Sequence, residues 1–219
     1  MIVVKVGGAV ANGSAQAVLA LAAEHDVVVV HGAGPQITEE MNRRGIPVEF
    51  VGGRRVTSPA GLEVVRDSLA AVNAALCEAL GPRALPLFGD EIGLRAEQVP
   101  ALGRVGNALP SRPPAVLAAL AGDRIPVVAP LGAGPLNVNA DEAAAALALG
   151  LGAERILFLT DVAGLILDGD IAETIDTRTA LDLLDSGQLE GGIVPKLRAA
   201  AIAARDGVRA EIGRTAVTA

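Results

Sequence analysis

Short runs of valine and isoleucine alternate along this chain with longer stretches of alanine and leucine at helical spacing. Apolar runs without interleaved polar residues are typical of strands buried on both faces, and their alternation with helices favours parallel pairing. The 219 residues suffice for one large α/β unit or two small lobes. The sequence therefore predicts an α/β fold with an open, mostly parallel sheet sandwiched by helices.

The predicted strands share a high content of Val and Ile, and the predicted helices share a helical spacing of apolar residues. The strands are Ile2–Val6, Val27–His31, Leu85–Phe88, Ile125–Pro130, Arg155–Thr160 and Val208–Ile212. The helices are Ala15–Ala23, Gln36–Arg44, Pro59–Leu80, Pro113–Ala121, Asp141–Leu149, Thr177–Ser186 and Pro195–Arg205. Two segments with glycine turns, Val48–Thr57 and Glu91–Val105, predict β-hairpin lids. A glycine-rich break near Gly152 divides the chain into an N-lobe, residues 1–152, and a C-lobe, residues 153–219.

The composition argues against nucleic-acid and membrane partners. Aromatic residues are limited to three Phe, so stacking on bases is almost impossible. A net charge of -7 opposes non-specific attraction to nucleic acid or anionic lipid, so we expect a small-molecule ligand. Met1 leads directly into a predicted strand and no signal peptide or long apolar run follows, which predicts a cytoplasmic protein. The single cysteine, Cys77, is expected to be a packing residue rather than a nucleophile.

Two lysines occupy positions that favour an anion nearby. Lys5 lies within an apolar strand, where an ammonium is costly unless an anion or dipole meets it, and Gly7 and Gly8 allow a ligand to approach the backbone. Lys196 follows Pro195 at a predicted helix start, where the helix dipole disfavours a cation. Taken singly, Lys5 could snorkel from an edge strand and Lys196 could be solvated. Together they predict a polyphosphate site.

Two further segments carry groups that can bind anions. The turn His31–Pro35 joins a strand to a helix and presents backbone N–H groups, although many such turns only connect elements. His31 is expected to be a structural hydrogen-bonding group rather than a catalytic base. Arg54 and Arg55 end a predicted hairpin, and an arginine fork can clamp a carboxylate. They could also be a solvated charge pair, and strand alternation predicts that at most one reaches a ligand.

The segment Asn137–Asp141 predicts a polar wall of a ligand-binding site. Asn137 and Asn139 share one face of a strand, and Asp141 begins a helix rich in alanine. Asp141 could be an ordinary N-cap, or it could hold the two lysine side chains at the correct separation. The turn after Thr160 lies at the carboxyl end of a strand, where open α/β sheets bind ligands. Because no Walker-A pattern occurs, a nucleotide site here would depend on separate turns and lysines.

Seven short motifs between Ile2 and Lys196 occur in the same order as in a known family. They start at Lys5, His31, Gly53, Gly103, Asn137, Thr160 and Gly192. On these motifs the chain resembles the amino acid kinase superfamily, and within it the acetylglutamate kinases. The resemblance implies an αβα fold and a homodimer that uses ATP and Mg²⁺ to phosphorylate the γ-carboxylate of N-acetyl-L-glutamate, in arginine biosynthesis.

The resemblance also implies roles for individual residues. Lys5 and Lys196 are implied to contact the transferring phosphoryl group, and Asp141 to organise the two lysines. The implied substrate-binding residues are Gly8, Ala33, Gly34, Arg55, Asn137 and Asn139. The implied nucleotide-binding residues are Lys5, Gly7, Asp161, Val162, Ala163, Gly164, Leu165, Ile166, Gln188, Leu189, Glu190 and Lys196. No side chain is assigned as a direct metal ligand.

The chain departs from the family pattern at several points. Ala33 stands where Gly is common, and Arg54 stands where a small or apolar residue is usual. The last strand lacks the helix that usually precedes it, so the nucleotide lobe is minimal. Related acceptors stay open: acetylaminoadipate, glutamate, a carrier-linked amino acid or carbamate. A non-catalytic nucleotide or amino-acid sensor is a further alternative, against which both lysines and Asp141 count.

The predicted helix Pro59–Leu80 carries an apolar stripe at helical spacing. Its members are Leu62, Val65, Leu69, Val72 and Leu76. Such a stripe can serve an isologous dimer or belong to the core of the subunit. We expect a homodimer.

Overall fold

A computed structural model describes residues 1–7, 11–160, 163–167 and 169–219. Its strands are β1 (Ile2–Val6), β2 (Val27–His31), β3 (Phe50–Val51), β4 (Arg54–Arg55), β5 (Ala84–Phe88), β6 (Ala96–Gln98), β7 (Val105–Ala108), β8 (Ile125–Ala129), β9 (Leu131–Gly132), β10 (Leu136–Val138), β11 (Arg155–Leu159), β12 (Ile166–Leu167), β13 (Asp170–Ile171), β14 (Thr174–Asp176), β15 (Arg209–Ile212) and β16 (Thr215–Thr218). Its helices are α1 (Ala11–Ala22), α2 (Gly34–Arg43), α3 (Pro59–Leu80), α4 (Gly89–Ile92), α5 (Pro114–Ala121), α6 (Ala140–Leu151), α7 (Thr177–Asp185) and α8 (Ile193–Arg205), with a 3-10 turn at Pro100–Leu102.

The main sheet has eight strands in the order β14-β16-β15-β11-β1-β2-β8-β5. Every neighbouring pair is parallel except β15 and β16, which are antiparallel. The predicted open, mostly parallel sheet is therefore confirmed. Strand β1 lies between β2 and β11, so the first strand of the chain joins its two halves.

Side chains of the central strands alternate between two cores. Val3 packs in the core formed with α5, α6 and α8, whereas Ile2, Val4 and Val6 pack in the core formed with α1 and α3. Because successive residues of a strand point to opposite faces, Lys5 shares the face of Val3 and points towards the α6 side of the sheet. The apolar strand and its register thus direct this ammonium towards one helix.

Both predicted lid segments contain hairpins. Strands β3 and β4 pair antiparallel through a turn at Gly52 and Gly53, whose positive φ angles of 57° and 78° favour glycine. The second prediction, Glu91–Val105, is partly wrong. The hairpin β6–β7 is antiparallel, extends to Ala108, and belongs to a four-stranded sheet with β10 and β9. The start of the predicted segment is helical, in α4.

The apolar stripe of α3 belongs to the core. Val65, Leu69, Val72 and Leu76 are buried at 8% exposure or less, against α2 or the main sheet. The stripe therefore no longer supports the predicted homodimer.

Cys77 is half-buried against the core of α1 and α3, and burial raises the pKa of its thiol, which agrees with a packing role. In the described part of the chain, no helix is long and apolar enough to cross a membrane.

Candidate active site

A cavity of about 480 Å³ opens at the carboxyl ends of β1, β2 and β11. Three helix starts border it, with Gly34 of α2, Asp141 of α6 and the N-cap Gly192 of α8 among the lining residues. The exposed N–H groups and dipole of a helix start favour anions. The arrangement of the helices alone therefore suits the cavity to an anionic ligand.

Side-chain charge adds to this field. Four cationic side chains and one carboxylate line the cavity: Lys5, Arg54, Arg55, Lys196 and Asp141. The whole chain has only two lysines, and both are in this set. All other basic side chains that carry a permanent charge are arginines. The lysines from the two ends of the sequence are thus brought together at one site.

The two lysines have different surroundings. Lys5 Nζ lies 2.9 Å from Asp141 Oδ1, and only 7% of the Lys5 side chain and 6% of the Asp141 side chain are exposed. Lys196 is partly exposed, and its Nζ donates to the carbonyl oxygen of Gly192 at 3.0 Å. Helix α8 begins at Ile193, two residues before the predicted start, so Lys196 lies in its first turn. Lys5 is fixed by an ion pair, and Lys196 extends from a helix start.

Asp141 is not the N-cap of α6. Asn139 has that position, and its amide oxygen accepts hydrogen bonds from the N–H groups of Asp141 at 2.8 Å and Glu142 at 3.3 Å. The prediction that the helix begins at Asp141 was therefore late by one residue. Because Asn139 satisfies the helix end, the Asp141 carboxylate is available to pair with Lys5.

Arg55 is a buried guanidinium on the wall of the cavity. Its Nη2 donates to Thr38 Oγ1 at 2.7 Å and to the carbonyl oxygen of Gly34 at 3.2 Å. Its Cζ lies 4.6 Å from the centroid of the Phe50 ring. Burial lowers the pKa of Arg55, and no carboxylate pairs with it in the described ranges. A planar cation held in this way is suited to a carboxylate ligand.

Arg54 points away from Arg55, as strand alternation predicts. Its Nη2 lies 2.7 Å from Glu142 Oε1, in α6, whereas Arg55 contacts α2. Both arginines nevertheless line the cavity, so alternation alone does not remove one of them from it. That at most one of them reaches a ligand stays a prediction. The strands β3 and β4 have two residues each, and a hairpin this small borders the cavity with both of its faces.

The other implied substrate residues lie on the same walls. Asn137 lines the cavity and donates to Thr57 Oγ1 at 3.0 Å. Asn139 and Gly34 also line it, and so does Ala33, the N-cap of α2. Gly8 lies outside the described residues.

Only some of the implied nucleotide-binding residues line the two cavities at this site. Gly7 lines the main cavity with Lys5 and Lys196. Leu189 and Glu190 line a second cavity of about 530 Å³, which shares Phe50, Gly53, Arg54, Asn139 and Gly192 with the first.

Five further residues with an implied nucleotide-binding role do not line these cavities. Ala163, Gly164, Leu165, Ile166 and Gln188 line neither of them. The side chain of Leu165 is buried in the main core, so it can offer a ligand its backbone only. Asp161 and Val162 lie outside the described residues.

Three residues at the site were missed from the sequence. Thr38 orients Arg55, Glu142 binds Arg54, and the buried Thr57 accepts from Asn137. Thr38 lies one helical turn after Gly34, so periodicity could have placed it near the cavity. Nothing in the sequence near Thr38 indicates that it contacts Arg55.

His31 ends β2 and is fully buried beside this site. Burial, and to a smaller extent the charge of Lys5, lowers the pKa of His31 from 6.5 to about 4. The imidazole is therefore a weak base and neutral at pH 7. Neither of its ring nitrogens makes a hydrogen bond in the described part of the chain, so the predicted hydrogen-bonding role is not confirmed.

The depressed pKa of His31 predicts acid sensitivity. Between pH 6.5 and 4 the unfolded chain takes up a proton that the folded chain does not, so the free energy of unfolding falls as pH falls, by about 3 kcal/mol at most. Urea unfolding at pH 7 and pH 4.5 should show a smaller acid loss in His31→Asn than in the wild type. Equal losses would mean that other groups cause the acid sensitivity.

Comparisons with known proteins agree with this fold. A model of the amino acid kinase family matches residues 1–213. The chain therefore belongs to the amino acid kinase family. The crystal structure of smu.665 from Streptococcus mutans is similar with a TM-score of 0.90 at 29% identity, over 99% of this chain and 98% of that one.

Proteins with similar sequences include two acetylglutamate kinases. An acetylglutamate kinase of Rubrobacter xylanophilus is 43% identical over 221 residues, covering 96% of this chain and 87% of that protein. An acetylglutamate kinase of Frankia casuarinae is 40% identical over 201 residues, covering 83% of this chain and 56% of that protein. The chain thus spans most of the first relative and little more than half of the second.

Proposed function

We propose that this protein transfers the γ-phosphoryl group of ATP to the γ-carboxylate of N-acetyl-L-glutamate, a step of arginine biosynthesis. The acetylglutamate kinases at 40% and 43% identity support this acceptor. The observation that carries the proposal is that both lysines, Asp141 and Arg55, which pairs with no carboxylate among the described residues, line one cavity. A polyphosphate and a carboxylate are the two ligand groups that these cations favour.

The proposed reaction needs no catalytic base. A carboxylate is already ionised at neutral pH, so its oxygen can attack the γ-phosphorus without losing a proton. The bond between that phosphorus and the β-phosphate oxygen breaks, ADP leaves, and an acyl phosphate forms.

Charge compensation is the main work assigned to the protein. In the proposed complex, Lys5 and Lys196 contact the phosphoryl group in transfer and offset the charge on its oxygens. Asp141 is a positioning residue, because its ion pair fixes the Lys5 ammonium. The helix starts of α2 and α8 would add N–H groups that need no rearrangement during the reaction, whereas Asn139 already accepts from the N–H groups of Asp141 and Glu142 at the start of α6.

The two lobes are proposed to bind different substrates. Arg55 and Asn137, in the N-lobe, would hold the α-carboxylate of the acceptor against the start of α2. The nucleotide would extend from Lys196 and Gly7 towards the C-lobe and its Gln188–Glu190 turn. The second cavity, lined by Leu189 and Glu190, supports this direction.

Mg²⁺ is proposed to reach the site within the MgATP substrate. The described ranges contain no group of three or more His, Cys, Asp or Glu side chains that could hold a metal ion. Asp141 is engaged by Lys5, and Glu142 by Arg54. These residues do not build a magnesium site of their own, and Mg²⁺ is commonly bound through substrate phosphates.

Arg55→Lys tests the proposed carboxylate clamp. We expect the KM for N-acetyl-L-glutamate to rise about ten-fold or more, because an ammonium cannot form the forked contact. The KM for ATP should change little. Arg43→Lys, at an exposed position of α2, is the matched control and should behave as the wild type. A larger rise in the ATP KM would place Arg55 at the nucleotide instead.

The acceptor itself is tested by ADP release from ATP. The proposal predicts rapid release with N-acetyl-L-glutamate and little with L-glutamate, acetylaminoadipate or carbamate. Preference for another of these acceptors would correct the substrate and keep the kinase. Nucleotide binding without turnover on any acceptor would favour a sensor.

A further inference from the structure

The hairpin β3–β4 is weakly held by its own backbone. Among the described residues its two strands pair only with each other, and each has two residues. Phe50 and Val51 are 53% and 50% exposed. A two-stranded ribbon of this size is not stable alone, so its position over the cavity must depend on contacts made by its side chains and at its base.

Arg54 makes the contact on the α6 side. Its Nε and Nη2 donate to Glu142 Oε1 at 3.0 Å and 2.7 Å, and its Nη1 donates to Asn107 Oδ1 in β7. The Arg54 side chain is 26% exposed and that of Glu142 20%, so the pair is screened less than a surface pair. Three of the five guanidinium N–H groups are therefore used within the protein.

The charges of the two arginines are balanced differently. Arg54 is paired with a carboxylate, whereas Arg55 has none in the described part of the chain. An arginine already neutralised by Glu142 is a poor choice for a second carboxylate. Arg54 therefore makes a structural contact, and the next residue, Arg55, is the one suited to a ligand carboxylate.

Glu142 lies in the turn that fixes the catalytic ion pair. Asn139 caps the N–H groups of both Asp141 and Glu142, and Asp141 holds Lys5. The Arg54 contact therefore joins the hairpin to the same helical turn that positions Lys5. Through the adjacent Arg55, that hairpin also reaches Thr38 in α2, across the cavity.

We propose that Arg54 is a positioning residue that latches the hairpin onto the first turn of α6 and so holds Arg55 in place for the acceptor. The part that concerns the acceptor rests on the proposed function. The latch itself rests only on the contacts of Arg54. Loss of the latch should weaken acceptor binding, and it should leave the phosphoryl-transfer groups in place.

The kinetic test uses Arg54→Met, Glu142→Gln and the double variant. Each single change should raise the KM for N-acetyl-L-glutamate about five-fold, with kcat and the ATP KM nearly unchanged, since a partly buried ion pair is lost. The double variant should be no worse than either single variant, because both remove one interaction. Arg43→Met, which breaks an exposed ion pair on α2, is the control and should have no effect.

A second measurement needs no activity. Hydrogen–deuterium exchange of the unliganded protein should be faster across residues 48–57 in Arg54→Met and Glu142→Gln than in the wild type and Arg43→Met. Unchanged exchange would overturn the latch. Faster exchange with an unchanged acceptor KM, or additive effects of the two changes, would overturn the positioning role. A wild type inactive on every acceptor would overturn the proposed function alone, and the exchange data would still support or refute the latch.

Discussion

Lys196→Ala is expected to lower kcat by about 10²–10³-fold, the scale of losing one preorganised group that stabilises developing charge. Lys5→Ala should lower kcat by a similar factor. The reason is that these two side chains, the only lysines of the chain, line the same cavity and are proposed to offset the charge of the phosphoryl group.

The two lysine variants should differ in stability. Lys196 is partly exposed, so its removal should change the urea midpoint less than loss of Lys5, which leaves the buried Asp141 carboxylate without its partner. Steady-state kinetics and urea unfolding of both variants check this, with Arg205→Ala, at an exposed position late in α8, as the control. Turnover like that of the wild type in either lysine variant would remove the two-lysine mechanism.

Asp141→Ala is expected to lower the free energy of unfolding by about 3 kcal/mol, because it leaves a nearly buried ammonium unpaired. It should also lower kcat, since Lys5 would no longer be held at the cavity. The measurement is urea unfolding at pH 7.

A double variant separates the two effects of the ion pair. Lys5→Met combined with Asp141→Leu should recover most of the lost stability, because apolar residues of similar volume can replace a buried ion pair. It should recover no activity. A single Asp141→Ala variant as stable as the wild type would show that the ion pair is not buried in solution.

The sequence predicted the site better than it predicted the contacts. Lys5, Lys196 and Asp141 were identified because each breaks a local expectation: a charge in an apolar strand, a cation at a helix start, and an acid beside two amides. Strand ends and helix starts meet at one edge of a parallel sheet, so the fold class was enough to bring these residues together.

Predictions failed where local patterns have two solutions. Asn139 and Asp141 are equally good N-caps by residue type, but Asn139 caps α6 and Asp141 pairs with Lys5. The stripe from Val65 to Leu76 has the same spacing whether it meets the core or a partner, and here it meets the core.

Other features cannot be recognised from the pattern of neighbouring residues in the sequence. Strands such as β9 and β12 have two residues, too few for a period of two to be visible. Arg54 and its partner Glu142 are 88 positions apart, so only the fold shows that they meet.

The most direct test of the central claim follows the phosphoryl group itself by ³¹P nuclear magnetic resonance. With ATP, Mg²⁺ and N-acetyl-L-glutamate, the wild type should convert the γ-phosphate signal into that of an acyl phosphate, in step with the appearance of ADP. Lys196→Ala should do so about 10²–10³-fold more slowly. ADP formation with inorganic phosphate and no acyl phosphate, or no loss of ATP while the nucleotide binds, would contradict the account.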